Sequence, residues 1–186
     1  RTLQTEEPDT VVTATEQVVE MPMPLANGQE LLLNGTIDRT HMLKSDDRLY
    51  VADYKTGSAS TKDSKNMTIK ETADLFDQAK HDDLKALMQV MTYCHILRHG
   101  LGMQGDMTPY VLFVRLLHTQ DGGRSRRTAV NKATDGTLVY GGETEQEFDQ
   151  LLEAKINEIF DESVPFSQAQ NTRACGFCDY RNICKR

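Results

Sequence analysis

The sequence predicts an α/β domain, because segments typical of strands alternate along the chain with segments typical of helices. Residues 31–42 and 48–55 are apolar runs that flank a polar turn, which predicts a β-hairpin. Residues 82–98 carry two apolar stripes at helical spacing, so we expect a helix that is buried from both sides. Residues 109–117 form a continuous apolar run of strand length, typical of an interior strand. Together these segments predict a sheet with helices packed on it.

The segment before the hairpin predicts another strand. Residues 11–25 are rich in β-branched side chains and interrupted by prolines, which suits a strand near the edge of a sheet. Asn27 and Gly28 then offer a turn into the hairpin. We interpret residues 1–10 as a frayed polar segment.

Helices are predicted both before and after the interior strand along the chain. A short helical segment begins near Glu71, and the longer helix of residues 82–98 has Gly100 as its stop. Thr144 and Glu147 have the spacing of a capping box, which predicts a helix that begins there and continues to Phe160. We take residues 11–170 as the core of one domain and residues 171–186 as a tail.

The hairpin brings acidic residues together. With the turn centred near Ser45 and Asp46, Asp38 lies opposite Asp53 or Tyr54, with Cβ atoms about 4.5 to 5.5 Å apart. Lys55 is two residues after Asp53 and therefore shares its face of the strand. Two carboxylates at this distance repel each other unless they bind a proton or a cation.

The chemistry of this cluster suits a hard divalent cation. Carboxylate oxygens are typical ligands of Mg²⁺ or Mn²⁺, and Lys55 beside such an ion could position a water molecule and offset charge on a phosphate. The alternative is that Asp38 and Asp53 pair with Arg39 and Lys55 on a solvated surface. An acid-x-Lys triplet alone is weak evidence, because the chain has three others, at Asp63, Asp83 and Glu153.

Composition limits the classes of function. The 186 residues include 21 basic and 28 acidic side chains, a net charge of −7, which argues against a protein that coats DNA without regard to sequence. A nuclease is not excluded, because metal ions supply local positive charge.

The sequence shows no export signal and no apolar run of about 18 residues, which indicates a cytoplasmic protein. Because it begins with Arg1 rather than Met, we expect a fragment.

Two polar residues interrupt the apolar surface of the long helix. Gln89 and Tyr93 are four residues apart and lie one turn apart on the same side of the helix. A buried glutamine amide needs hydrogen-bond partners, so Gln89 is a candidate functional residue. The alternative is a core tyrosine with an incidental glutamine.

The tail contains a cluster of cysteines. Cys175, Cys178 and Cys184 have the spacing Cys-x2-Cys-x5-Cys, which favours metal ligation over disulfides in a chain without an export signal. Zinc or an iron-sulfur cluster would need a fourth ligand, and Cys94 is expected to be a core residue. The five histidines are interpreted as having no paired ligand spacing and are given no metal role: His41, His81, His95, His99 and His118. Arg124, Arg126 and Arg127 either contact a phosphate backbone or lie on a solvated hairpin tip.

Several of these features, in this order, resemble a known family. Gly35-x-Ile37-Asp38-Arg39 followed by Asp53-Tyr54-Lys55-Thr56-Gly57 is similar to the core of the PD-(D/E)xK nuclease superfamily, in particular its RecB/AddB-like branch. The resemblance implies a restriction-endonuclease-like α/β fold, with a mixed central sheet flanked by helices and a C-terminal cysteine-rich segment. It also implies Mg²⁺- or Mn²⁺-dependent, exonuclease-like hydrolysis of DNA. The chain would be the nuclease part of a helicase-nuclease in recombination and double-strand break repair.

The resemblance implies roles for individual residues. Asp38 and Asp53 would bind the metal with the Tyr54 backbone carbonyl, Glu16 would assist, and Lys55 would serve the water and the transition state. Glu20 is a competing candidate for the Glu16 role. Gln89 and Tyr93 match the family's Gln-x-x-x-Tyr pair, so they would lie beside the active site and orient Lys55 or contact a phosphate.

The cysteines resemble the ligands of a four-iron four-sulfur cluster in AddB-like nucleases. In that family a fourth cysteine and a leading helix precede the first catalytic strand, so the resemblance implies that both would lie before Arg1. The cluster formed by Cys175, Cys178 and Cys184 would then be incomplete here, and the isolated fragment would be expected to lack full activity. A function of another class remains open, namely a non-catalytic DNA-binding or scaffolding module in which the cysteines clamp a structural metal.

Overall fold

A computed structural model gives the structure of the chain at residues 9–56, 67–114, 126–128, 130–131, 136–165, 167–168, 172 and 174–185. The predicted residues Gly57, Arg124 and 115–117 lie outside this part, as do the side chains of Arg126 and Arg127. Among the described helices, none is long and apolar enough to cross a membrane.

The described elements form a large mixed sheet, a small three-stranded sheet and helices that pack against the large sheet. The eight strands, in chain order, are β1 (Thr10–Pro24), β2 (Glu30–Leu43), β3 (Asp46–Lys55), β4 (Thr68–Ile69), β5 (Met107–Phe113), β6 (Arg126–Thr128), β7 (Val130–Asn131) and β8 (Gly136–Thr137). The two α-helices are α1 (His81–Leu101) and α2 (Gly142–Ile159), and short 3₁₀ helices span Thr72–Phe76 and Ala174–Phe177.

The large sheet has the order β1-β2-β3-β5-β6, and a small sheet has the order β4-β7-β8. In the large sheet β3 and β5 are parallel, whereas the other neighbours are antiparallel. The predicted edge strand is β1, and the predicted interior strand is β5, whose seven residues are all buried. The mixed α/β architecture predicted from the sequence is therefore confirmed.

The turns at both ends of β2 follow from local sequence. Gly28 has φ of 83°, and Leu25 N donates to Gln29 O at 2.8 Å, so the predicted Asn27-Gly28 turn is present. The hairpin between β2 and β3 is tighter than expected. Leu43 pairs with Asp46, so the turn consists of Lys44 and Ser45, and Asp46, which was expected at the centre of the turn, begins β3.

The ends of both helices differ from the predictions. Helix α1 continues through Gly100 and ends at Leu101. The next residue, Gly102, has φ of 67°, the left-handed conformation that commonly follows the end of a helix. Gly100 instead permits close packing, because a Cβ there would lie 2.9 Å from Glu20 O of β1. Helix α2 begins at Gly142, and no side chain caps it, so the capping box of Thr144 and Glu147 is wrong. The segment near Glu71 is a 3₁₀ helix.

The main core lies between the large sheet and helix α1. Val19, Ile37, Val51 and Val111 of the sheet and Leu87 of the helix are almost completely buried in it. A second, smaller cluster on the other face of the sheet contains four buried residues, Tyr50, Ala52, Tyr110 and Leu112. Residues that alternate along β3 thus belong to different cores, as strand geometry requires.

Candidate active site on the β2-β3 hairpin

The two predicted acids meet where the β2-β3 ladder ends. Arg39 and Ala52 are the last residue pair of this ladder, and continuing the register by one residue places Asp38 level with Asp53. Tyr54 N donates a hydrogen bond of 2.5 Å to Asp38 Oδ2. The Asp38 carboxylate therefore takes the place of a backbone acceptor, and the ladder gives way to a side-chain cluster.

Strand β2 changes the face it presents at Asp38. Ile37 packs in the main core, but Arg39 pairs with Ala52, which belongs to the smaller cluster on the other face. In a regular strand, residues two apart would share a face. Asp38 thus lies at an irregularity that aims its carboxylate away from the regular alternation.

The neighbouring strand β1 is irregular at the same level. Glu16 has φ of 48°, a conformation that is uncommon for a residue other than glycine, and it lies between the pairs Thr15 with Arg39 and Gln17 with Ile37. Glu16 is therefore level with Asp38. Backbone strain of this kind concentrates at functional sites and costs about 1–3 kcal/mol.

Both candidate glutamates are exposed, but they differ in position along β1. Glu20 pairs with Asn34, four residues from Asp38 along β2. Glu16 is close enough to the Tyr54 hydroxyl for its negative charge to affect the pKa of that group. Burial is the main cause of the raised pKa of Tyr54, and the negative charges of Asp38 and Glu16 add to it against the opposing charge of Arg39. The geometry thus favours Glu16 over Glu20 as a neighbour of the acidic pair.

Asp53 is buried beside a lysine. Asp53 is only 5% exposed, and Lys55 Nζ lies 2.7 Å from its Oδ2 in an ion pair. Among the described residues, this Oδ2 atom has no hydrogen-bond partner of regular geometry. Burial raises the pKa of Asp53, Lys55 lowers it, and the negative charge of Asp38 raises it again. A buried carboxylate oxygen without a hydrogen bond, facing a second carboxylate, fits the donor set of a divalent cation.

A chain of hydrogen bonds joins the lysine to helix α1. Lys55 Nζ donates to Gln89 Oε1 at 2.7 Å, and Gln89 Nε2 donates to the Tyr93 hydroxyl at 2.8 Å. The structure therefore brings Lys55, Gln89 and Tyr93 together, as the resemblance implied. The glutamine holds the ammonium group beside Asp53 because its oxygen and its nitrogen are both engaged.

Gly35 leaves the space that Tyr93 occupies. A Cβ at Gly35 would lie 2.6 Å from Tyr93 Cε1, much closer than such atoms approach in proteins. The glycine of the Gly35-x-Ile37-Asp38 motif thus lets the helix side chain lie directly over strand β2. This gives the motif a packing reason as well as a chemical one.

The surface ion-pair alternative does not hold for Arg39. Its side chain is buried on the other face of the sheet, with the guanidinium carbon 5.6 Å from the centre of the Tyr54 ring and 6.0 Å from that of Tyr110. These are cation-π distances. Arg39 is therefore directed away from Asp38, and of the two acids it is Asp53 that is contacted by Lys55.

The cysteines of the tail do not form a comparable cluster. Cys175, Cys178 and Cys184 are free thiols, and their sulfur atoms are not gathered within 4.8 Å of one another in the part of the chain that is described. Cys94 is completely buried in the main core, and burial raises the pKa of its thiol, so the predicted core role is confirmed.

One cluster was missed by the sequence analysis. His95 and His99 both contact Asp149 of helix α2 at 2.7 Å. The two histidines are four residues apart on α1, which is a spacing that metal ligands use on a helix. The prediction that the histidines have no paired ligand spacing was therefore wrong. That spacing could have identified them as a pair, but it could not have identified Asp149, which is 50 residues further along the chain.

Comparison with known proteins identifies the family. The family model of the PD-(D/E)XK nuclease superfamily matches residues 1–185, nearly the whole chain. A search of curated proteins found no match. The central mixed sheet with flanking helices agrees with the restriction-endonuclease-like fold of this superfamily. The chain belongs to the PD-(D/E)XK nuclease superfamily, which implies a metal-dependent nuclease that acts on DNA.

Proposed function

We propose that this chain is a Mg²⁺- or Mn²⁺-dependent, exonuclease-like deoxyribonuclease whose active site is the end of the β2-β3 hairpin. The observation that carries the proposal is the buried Asp53 carboxylate, which lies level with Asp38 and 2.7 Å from Lys55. Two carboxylates beside a single lysine leave a net negative charge, which a divalent cation would neutralise.

Each residue of the proposed active site would have its own role in hydrolysis. Asp38 and Asp53 would hold the metal with the Tyr54 carbonyl, and Glu16, level with Asp38, would assist. A bound divalent cation supplies charge neutralisation at the phosphate and lowers the pKa of water. Lys55 would orient the attacking water and stabilise negative charge on the phosphate oxygens. Gln89 would keep Lys55 in place, and Tyr93 would keep Gln89 in place.

We further propose that the nuclease is of the RecB/AddB-like type and works with a helicase partner subunit or domain in recombination and DNA double-strand break repair. The order of the motifs supports this assignment, from the hairpin acids through Gln89 and Tyr93 to the cysteines. On this proposal residues 11–170 are the nuclease core. Cys175, Cys178 and Cys184 would supply three ligands of a four-iron four-sulfur cluster in the longer protein.

The first experiment compares hydrolysis of linear single- and double-stranded DNA with Mg²⁺ or Mn²⁺ by the wild type, Asp53→Ala and Lys55→Ala. Lys85→Ala is the matched control, because Lys85 belongs to another Asp-x-Lys triplet but is exposed on α1. We expect both site variants to lose activity on the order of 10³-fold and the control to keep it. Equal activity in all four proteins would overturn the proposed site. An inactive wild-type chain would move the same comparison to the longer protein.

Substrate ends and iron content test the finer assignments. An exonuclease-like enzyme degrades end-labelled linear DNA and leaves covalently closed circles intact, so cleavage of the circles would contradict this part of the proposal. For the cluster, the longer protein purified without oxygen should contain about four iron atoms and absorb visible light. A colourless, iron-free protein would contradict the iron-sulfur assignment.

A further inference from the structure

A second group of metal-binding side chains lies where helices α1 and α2 meet. His95 and His99 are one turn apart on α1, so their imidazoles project from one side of that helix. Asp149 approaches them from α2. Its Oδ1 lies 2.7 Å from His95 Nδ1, and its Oδ2 lies 2.7 Å from His99 Nε2.

The donor atoms suit a transition metal ion. The two imidazole nitrogens and a carboxylate oxygen all lie within 4.8 Å of one another, and the ring centres are 4.6 Å apart. Two histidines and one carboxylate are a frequent ligand set for zinc, whose bonds of about 2.0–2.2 Å separate tetrahedral ligands by roughly 3.3 Å. Widening the two contacts of 2.7 Å by about 0.6 Å would make room for the ion, which side-chain rotation can supply.

Neighbouring contacts hold the ligands in place. The hydroxyl of Tyr140, a completely buried residue, donates to Asp149 Oδ1 at 2.6 Å. One turn earlier on α2, Glu145 accepts two hydrogen bonds from Arg98, at 2.9 and 3.0 Å. Orientation of ligands by partners of this kind is typical of metal sites, and it fixes the spacing of the two helices before an ion arrives.

His95 makes its polar contacts on one side of the ring. It is 6% exposed, and among the described residues its Nε2 has no hydrogen-bond partner, so the contact of Nδ1 with Asp149 is its main polar anchor. A divalent ion would use a lone pair from each imidazole together with the carboxylate.

We propose that His95 Nδ1, His99 Nε2 and the Asp149 carboxylate bind a divalent transition metal ion, with Zn²⁺ the best chemical match. The side chain of His99 is 43% exposed and that of Asp149 is 22% exposed, so water can enter and fill a fourth position. The ion would be structural. It would join α2 to the helix that carries Gln89 and Tyr93, and this assignment is independent of the proposed nuclease chemistry.

Co²⁺, a spectroscopic substitute for Zn²⁺, tests the site when the other metal-binding groups are removed. The background protein carries Asp53→Asn, Cys175→Ser, Cys178→Ser and Cys184→Ser, which removes the candidate catalytic site and the cysteines as competitors. We would titrate this protein with Co²⁺, recording visible absorption and binding heat, and then compete the Co²⁺ with Zn²⁺. His99→Gln is the test variant, because His99 is partly exposed and its loss should not prevent folding.

We expect one Co²⁺ per chain in the background protein and at least about tenfold weaker binding after His99→Gln. At 100 times its dissociation constant, Zn²⁺ should raise the melting temperature of the background protein by about 5–10 °C. Glu147→Gln is the matched control, since Glu147 is an exposed acid on the same helix, two residues before Asp149, and its replacement removes no ligand and should retain binding. Absence of binding in the background protein, or equal affinity in the background protein and the His99→Gln variant, would overturn the proposal. So would loss of binding with Glu147→Gln alone.

Discussion

The acidic hairpin and the cysteine tail are both short motifs, but different contacts support them. Asp38 is held by a hydrogen bond from Tyr54, and Lys55 by Gln89, which is 34 residues away along the chain. Around Cys175 and Cys178 the backbone hydrogen bonds are local turns, such as that from Cys178 N to Cys175 O. Strand register thus sets the geometry of a motif on a sheet. A motif on turns needs a bound ligand, or contacts with other segments of the protein, to bring its ligand atoms together.

The largest expected effect is on the hairpin. Asp38→Asn keeps an oxygen that can accept the Tyr54 N–H but removes one of two facing negative charges. We expect Mg²⁺-dependent hydrolysis to fall on the order of 10³-fold, while the free energy of unfolding without metal stays within about 1 kcal/mol or rises. DNA cleavage and urea denaturation measure the two quantities, with exposed Asp83→Asn as control. Activity within threefold of wild type would show that Asp38 lies outside the centre.

The contact between sheet and helix predicts the next effect. Gln89→Leu leaves Lys55 without its partner on α1, so the ammonium group should move and kcat should fall by about 10- to 100-fold. Tyr93→Phe removes only the acceptor of the Gln89 amide and should cost less. Steady-state kinetics on a short DNA duplex separate kcat from KM. A raised KM with unchanged kcat would instead indicate that Gln89 contacts the DNA.

The strained residue in β1 predicts a difference between two substitutions. Glycine tolerates the φ of 48° at Glu16, whereas alanine does not, so Glu16→Gly should be more stable than Glu16→Ala by about 1 kcal/mol. Both variants should lose activity equally, because both lack the carboxylate. Thermal or urea denaturation measures the difference. Equal stability of the two variants would show that the backbone relaxes at this position.

The hairpin turn predicts a small pH effect. A hydrogen bond from Arg48 is the main cause that lowers the pKa of Asp46 from 3.8 to about 2. Because the folded pKa is lower, this contribution is fully present above pH 3.8 and is lost as the pH falls through 2. Asp46→Asn should therefore lose no more than about 1 kcal/mol at pH 7 and show a shallower decline below pH 4. Unfolding by urea at several pH values tests the slope, and an unchanged slope would contradict the assignment.

The smallest effect is expected in the tail. Replacing Cys175, Cys178 and Cys184 together by serine should change the free energy of unfolding of this chain by about 0.5 kcal/mol or less, because partly or fully exposed side chains contribute little packing. DNA hydrolysis should also be unchanged. A loss above about 2 kcal/mol would show that the tail binds a metal that supports the fold, and the contrast with the hairpin would disappear.

Local sequence was sufficient for the hairpin, for the edge strand and for the pairing of Gln89 with Tyr93. Each of these depends on the periodicity of one element or on a turn between neighbours, and so the sequence predicts which side chains share a face. It also placed Asp38 opposite Asp53 or Tyr54. The turn differs from the expected one, but the irregularity between Met42 and Leu43 shifts the pairing back to the expected register. The family resemblance then added chemistry to positions that the pattern had already brought together.

Tertiary packing decided the rest. The change of face between Ile37 and Arg39 accompanies the left-handed backbone at Glu16, a feature that periodicity cannot express. Asp149 contacts His95 and His99 because α2 packs near α1. Helix α1 continues past Gly100 because this residue packs against β1 instead of ending the helix. The physical reason is the same in each case. Periodicity fixes the direction of a side chain within its own element, but contacts between distant segments depend on how the elements pack.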